Sequence, residues 1–328
     1  MEGKKRALIL FSGGLDCRIA VRLMEDQSVD LQPVVFESPI ADHDIAIAAA
    51  ESMNLPVKVV EFTRSLVDVV ERCKSLDDAS TTLRLECHAE MLRGAAGMLE
   101  ELECSFLVTG EVLNQGSPTQ TEEAFQYAAA ASGVPDLVLR PLSAAHLSPT
   151  RPEMEGWVSR DDLLDLQGMR DDRRVEYARR LGVEPLPGDE KPQSQLADPA
   201  FIERLADLRV HEGLEGRRAI ELLRHGRHFR LGPVTKLVLG QTQEESLHLE
   251  SSAELYDLIL NVEEIEGPTG LLPVIATEDQ LRLAAAICAR YSDVAPGGTV
   301  PVCIRSSRNR RQIEVHPAPQ EDIDLIVV

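Results

Sequence analysis

Arg6-Ala7-Leu8-Ile9-Leu10-Phe11-Ser12-Gly13-Gly14-Leu15-Asp16-Cys17 is an apolar strand that runs into Ser-Gly-Gly-x-Asp and then into a helical pattern over residues 18–24. Such a turn suits a bound pyrophosphate. Gly13 and Gly14 let the backbone approach an anion closely, and Ser12 adds a hydroxyl donor. Leu15, Asp16 and Cys17 open the helix, whose first amides and positive dipole end would point at the phosphates. Asp16 is then placed to orient a magnesium ion or to cap the helix. A plain strand-to-helix turn is the alternative reading of the same residues.

Outward from this string, short apolar strands alternate with helical patterns. The spacing predicts strands at 7–11, 31–36, 57–62 and 106–109, with helices to about residue 25, at 44–53 and at 87–102. This is the signature of a doubly wound parallel α/β sheet. Ligands bind at the carboxyl ends of such strands, where Ser12-Gly13-Gly14, Glu37-Ser38 and Gly110-Glu111 all fall. A further strand is expected at 137–142, a charged helix over 161–182, and a loop at 184–199. From about residue 217 the pattern becomes that of a smaller α+β domain. Strands are expected there at 235–240, 270–275 and 300–306, helices at 244–261 and 279–291, and a buried apolar tail at 322–328. Domain boundaries at 1–205 and 206–328 follow.

The chain has 328 residues with 43% hydrophobic and 27% charged content, enough for two cores in an ordinary globular composition. It has no apolar run of membrane-spanning length, and Met1-Glu2-Gly3-Lys4-Lys5-Arg6 shows no signal pattern, so a cytoplasmic protein without a membrane partner is expected. Its six cysteines form no CxxC pair, which fits free thiols. The net charge of −21 argues against generic nucleic-acid affinity and against DNA as a partner. Local arginine clusters at 217–230 and 305–311 are either contacts for RNA or a solvated face.

The Ser12 to Cys17 string resembles the PP-loop, SGGxDS, of enzymes that cleave ATP to AMP and pyrophosphate, with Cys17 in place of the usual closing Ser or Thr. No Walker-type Gly-Lys-Ser/Thr is present. Phe106-Leu107-Val108-Thr109-Gly110-Glu111-Val112-Leu113-Asn114-Gln115, then Thr119-Gln120 and Leu139-Arg140-Pro141-Leu142-Ser143, resemble segments of tRNA thiouridine synthases of the ThiI-like class. The resemblance implies ATP and magnesium as cofactors. It implies a nucleotide pocket closed by Gly110, Glu111 and Gln115 with Ser12, Gly13, Gly14, Leu15, Asp16, Cys17 and Ser38, and Arg140 or another cation on the phosphates. Glu111 as a helix cap is the competing reading.

Relatives of this class carry cysteines for an iron–sulfur cluster or for sulfur handling. Here Leu83-Arg84-Leu85-Glu86-Cys87-His88 and Pro192-Gln193-Ser194-Gln195 keep only Cys87, and too few thiolates remain for a cluster. Cys87, expected at a helix start beside His88, is the candidate catalytic nucleophile or persulfide carrier, or else a small packed residue. Residues 217–328 resemble an NFACT-type RNA-binding domain, through Gly226 to Leu231, Lys236 to Gly240 and Arg290 to Asp293. Arg227, His228, Arg230, Arg308, Arg310 and Arg311 are its candidate RNA contacts.

Together these resemblances imply a tRNA-modifying ATP pyrophosphatase of the uridine-thiolation type. It adenylates a uridine carbonyl with Asp16 and Cys87 as catalytic groups, and a sulfur-donor protein is a further partner. An ATP- and RNA-binding accessory protein without sulfur transfer is the rival reading. A small-molecule ligase that adenylates a carboxylate is another.

Overall fold

The computed structural model describes residues 5–39, 43–73, 80–168, 173–186, 189, 194–263, 265–294 and 297–328. They form two compact units, Met1–Ala197 and Asp198–Val328. The division falls before helix α8 (Pro199–His211) rather than at 205, because Asp198 caps that helix by accepting from the Ala200 amide. Arg204 and Asp207 on α8 also bond to Gly226 and Arg230 of the second unit.

The first unit is built on a five-stranded parallel sheet in the order β3-β2-β1-β4-β5. Its elements are β1 (Arg6–Leu10), α1 (Leu15–Asp26), β2 (Asp30–Glu37), α2 (His43–Ser52), β3 (Lys58–Glu61) and α3 (Thr63–Arg72). They continue with α4 (Ser80–Gly97), β4 (Phe106–Thr109), α5 (Glu122–Ala131), β5 (Val138–Leu139), α6 (Arg151–Met154) and α7 (Arg173–Arg180). Central β1 is covered on both faces and therefore reads as an unbroken apolar run. Ala7, Ile9 and Phe11 share one cluster with Ile19, Ala20, Leu23 and Met24 of α1 and Ala46, Ala49 and Ala50 of α2. Leu8 and Leu10 alternate to the other face, where α4 packs on β1. The strand order reverses between β1 and β4, so a crevice opens at their carboxyl ends.

The second unit adds to α8 the helix α9 (Arg217–Leu222) and a six-stranded antiparallel sheet in the order β11-β10-β8-β9-β7-β6. Its strands are β6 (Arg227–Gly232), β7 (Thr235–Leu239), β8 (Asp257–Val262), β9 (Gly270–Pro273), β10 (Val300–Arg305) and β11 (Arg310–Val315). The helices α10 (Gln243–Ser251), α11 (Glu278–Arg290) and α12 (Gln320–Asp324) complete it. Phe229, Leu237, Leu260 and Val302 bury against Leu281, Ala284, Ala285 and Cys288 of α11. Val238 and Leu271 bury against Leu249 of α10 on the opposite face.

Both sheet classes follow the expectation, with local corrections. The stretch 244–261 is helix only through Ser251 and then strand β8. Leu258 and Leu260 face α11 while Ile259 packs on the α10 side, and a helix could not divide these neighbours between two sheet faces. Among the described residues of 161–182, helix is confined to a short turn and α7. Between them Leu164 and Leu166 hydrogen-bond Pro141 and Leu142 in an extended strap. Strands β6 and β11 and helices α3 and α5 were not legible as separate elements. In the tail, Ile323 of α12 is buried in the α11 cluster, while Leu325 and Val327 are exposed although 326–328 run antiparallel to β6. All six cysteines are free thiols. Among the described residues no helix is long and apolar enough to cross a membrane.

Candidate functional site

Ser12, Gly14, Leu15, Asp16 and Cys17 line a cleft of about 540 Å³ together with Val34 to Phe36 of β2, His88 and Met91 of α4, Thr109 to Glu111 and Gln115. Gly13 makes the loop possible: its φ is +80°, and a Cβ there would stand 2.6 Å from Ala46 Cα of α2. Gly14 is the N-cap of α1 and offers no side chain to the first-turn amides. The N-cap residue itself thus supplies no side-chain cap to the helix start at the cleft, the arrangement that suits an anion.

Asp16 accepts from Gln115 Nε2 at 2.6 Å and lies 3.3 Å from Arg174 Nη1, both at Oδ2, while its buried Oδ1 has no hydrogen-bond partner among the described residues. Burial raises the Asp16 pKa, against the opposing pull of Arg174 and the Gln115 bond. Gln120 Nε2 donates to Gln115 Oε1 at 3.0 Å and thereby fixes which end of the Gln115 amide meets Asp16. Arg174, on α7, is the cleft cation that the sequence did not disclose.

Arg18 anchors the loop from beneath. It is 2% exposed, donates from Nε to Gly13 O at 3.0 Å, and grips both carboxylate oxygens of Asp189 at 2.5 Å. It also bonds the Glu184 carbonyl. One buried guanidinium thus ties the positive-φ glycine to the chain that follows α7.

Several expected residues take other roles. Cys17 Sγ is turned into the loop, 3.2 Å from Ser12 Oγ and 3.7 Å from Leu10 O, and burial pushes its thiol pKa up. Gly110 permits a close approach, but to α1: a Cβ there would lie 2.6 Å from Cys17 N and Cα. Glu111 is a hub. Its Oε2 meets Arg140 Nε at 2.9 Å and Thr109 Oγ1 at 3.0 Å, and its Oε1 lies 2.9 Å from His88 Nε2 in a contact poorly aligned as a hydrogen bond. Burial alone would raise its pKa, yet the charges of His88 and Arg140 pull it down to about 2. Arg140 is consequently not a phosphate ligand but a buried strut, bonded to Glu111 and stacked 4.2 Å over Phe125. Ser143 likewise braces the loop, accepting from the Leu113 amide and donating to Leu166 O. Ser38 is buried just beyond β2, and Val34, Val35 and Phe36 line the cleft in its stead.

Cys87 requires a clear correction. It lies in the middle of α4, not at a helix start, so no dipole assists ionisation. It is 5% exposed, and burial, followed by the nearby Cys73, Glu86 and Glu90, drives the thiol pKa far up. His88 faces the cleft and Glu111, whereas Cys87 does not line the cleft. Substituting Cys87→Ala is therefore expected to leave ATP affinity at its original value in calorimetry. A loss of binding would return Cys87 to the site.

In the second unit the six candidate contacts divide. His228 is 1% exposed with Nε2 3.0 Å from His225 O. Arg230 is held by Asp207 and by Glu212 at 2.8 Å. Neither is available to RNA, because β6 alternates and turns 228 and 230 toward α8 and α9. Arg227 is exposed, its guanidinium 4.6 Å from the Tyr291 ring at the edge of a cleft of about 560 Å³ with Gln241, Thr242 and Asp293. Arg308 is exposed at the β10–β11 turn, while Arg310 and Arg311 pair with Glu263 and Glu278 at 2.5 and 2.7 Å.

Burial, then Lys236 and Arg204, lowers the His228 pKa from 6.5 to about 3. The unfolded chain takes up this proton below pH 6.5 and the folded one does not, so stability falls as pH drops from 6.5 toward 3. The slope is at most about 1.4 kcal/mol per pH unit. Urea midpoints of the wild type should decline over this range, and His228→Gln should flatten the decline; an identical decline in both would exclude His228 as its source.

Residues 3–147 match the family model described as thiamine biosynthesis protein (ThiI), and residues 226–325 match the NFACT protein RNA binding domain. A probable tRNA sulfurtransferase from Lysinibacillus sphaericus is 30% identical over 146 residues, 42% of this chain and 34% of that protein. The chain thus spans about a third of the length of the curated relative it matches. A crystal structure of a 4-thiouridine synthetase–RNA complex with bound ATP is similar at TM-score 0.36 and 19% identity, covering 55% of this chain and 52% of that one. The C-terminal part of a fibronectin/fibrinogen-binding protein from Streptococcus suis is similar at TM-score 0.30 and 12% identity, covering 49% and 79%.

Proposed function

We propose that this ThiI-like chain, with its C-terminal NFACT-type RNA-binding domain, is an ATP-dependent enzyme of the tRNA-thiolation type that adenylates a uridine carbonyl of tRNA. The observation that carries the reading is the cleft at the β1–β4 switch point, lined by the first turn of α1, whose N-cap is a glycine and whose buried Asp16 keeps one oxygen without a partner among the described residues. The amides of the loop and Arg174 hold the polyphosphate. The uridine oxygen attacks the α-phosphorus, the bond to the β-phosphate oxygen breaks, and pyrophosphate leaves. Preorganised donors facing the developing phosphate charge lower the barrier.

Magnesium fits here. Asp16 Oδ1 is an orphaned acceptor, and no cluster of three His, Cys, Asp or Glu side chains among the described residues could hold a metal alone, so a single carboxylate together with ATP phosphates would complete its shell. Its charge would neutralise the leaving pyrophosphate.

The environment of Cys87 favours a sulfur source outside the described residues, such as a sulfur-donor protein, or a second reading in which sulfur transfer has been lost and binding of ATP and RNA remains. Incubation with labelled ATP, magnesium and bulk tRNA, with and without sulfide, tests both. AMP and pyrophosphate formed only with tRNA are expected; ATP and tRNA binding without turnover would favour the second reading.

A further inference from the structure

Asp16 and Arg174 are an unusual pair for a cleft that handles a polyanion. The two groups touch at 3.3 Å, through Asp16 Oδ2 and Arg174 Nη1. Yet each keeps a buried polar atom without a hydrogen-bond partner among the described residues, Oδ1 on the acid and Nε on the base. A pair built only to hold α7 against α1 would have its buried atoms satisfied, since an orphaned buried donor or acceptor is costly. Gln115 already fixes the carboxylate from the other side. The other acids lining the cleft are committed elsewhere, Asp189 to Arg18 and Glu111 to Arg140.

We propose that Arg174 is a placeholder cation: from Oδ2 it neutralises the Asp16 carboxylate in the nucleotide-free cleft and keeps a metal off Oδ1, and it yields when the metal arrives on the nucleotide. The inference rests on the reading of this cleft as a magnesium–nucleotide site. A divalent ion at Oδ1 would stand within a few ångströms of the guanidinium, where like charges repel strongly. Free metal is therefore excluded. A metal that arrives with a polyphosphate brings the anion that the guanidinium needs, so Arg174 exchanges Asp16 for phosphate oxygens and its unused Nε donor gains an acceptor. Ordered loading follows: the acid takes the metal only in company with the nucleotide.

Manganese, read by its electron paramagnetic resonance, is the probe on the full chain without nucleotide. The wild type should bind it weakly, while Arg174→Gln should bind it about tenfold or more tightly, as removal of one close like charge implies. Asp16→Asn in the Arg174→Gln background should abolish the gain. Arg174→Lys, which keeps the charge, should exclude the metal as the wild type does. Equal manganese affinity in the wild type and Arg174→Gln, a gain that survives Asp16→Asn, or a gain also in Arg174→Lys would each overturn the proposal. ATP calorimetry with magnesium separates the underlying reading. If Asp16→Asn leaves magnesium-dependent ATP binding intact, the nucleotide-site reading fails; if it abolishes that binding while Arg174→Gln leaves manganese affinity unchanged, only the placeholder fails.

Discussion

Replacing Arg18 by Met is expected to cost about 3–5 kcal/mol of stability and to lower the melting temperature of the first unit by roughly 10 °C. The guanidinium is buried and bonds Gly13 O, Glu184 O and both oxygens of Asp189. Its removal leaves Asp189, itself 16% exposed, as an uncompensated charge beneath the loop. Breaking one half of a buried pair is far more damaging than removing both halves. Arg18→Met with Asp189→Leu should therefore recover part of the loss. The carbonyls of Gly13 and Glu184 stay unsatisfied in the double variant, so recovery will be incomplete. A single variant that melts with the wild type would show that the loop does not depend on this anchor.

The second large effect concerns Asp16→Ala, which should abolish magnesium-dependent ATP binding while the protein still folds. Asp16 does not hold α1 together: the cap is Gly14, and the burying face is made by Ile19, Ala20, Leu23 and Met24. The substitution removes a buried carboxylate with one unpartnered oxygen, so the stability change should stay within about 1 kcal/mol. Gln115 Nε2 and Arg174 lose an acceptor, yet both border the open cleft, where water can replace it. Unchanged affinity in calorimetry at saturating magnesium would remove the phosphate-loop assignment.

The sequence disclosed what depends on neighbours along the chain. The β1–loop–α1 string was legible because a strand covered on both faces is unbroken apolar sequence, and because Gly13 is the residue that a +80° φ next to Ala46 requires. The convergence of β1 and β4 at one crevice followed from the alternation of elements. What depends on distant partners was hidden. Arg18 and Asp189 are 171 positions apart, and Asp16 and Arg174 are 158 apart. Arg140 shows the same limit in reverse: its arginine chemistry suggested phosphate, but Glu111 and the Phe125 ring had already claimed it. Cys87 reads as a nucleophile in the sequence because the apolar pattern predicts the helix from 87, whereas α4 begins seven residues earlier and makes it a mid-helix packed thiol. A signal for His228 and Arg230 did exist. Phe229 and Leu231 alternate with them, and treating residues 227–232 as a strand would have put both on the sheet face opposite Phe229, the face of Val238, which a second helical layer covers.

In the proposed reaction the uridine oxygen, not water, attacks the α-phosphate. The most direct measurement follows oxygen: tRNA and ATP are turned over in ¹⁸O-enriched water with magnesium and sulfide, and the AMP is analysed by mass spectrometry. Adenylation of the base predicts AMP without solvent ¹⁸O, because its new oxygen comes from the RNA. AMP carrying one solvent ¹⁸O would mean direct hydrolysis at phosphorus and would contradict adenylation of the base.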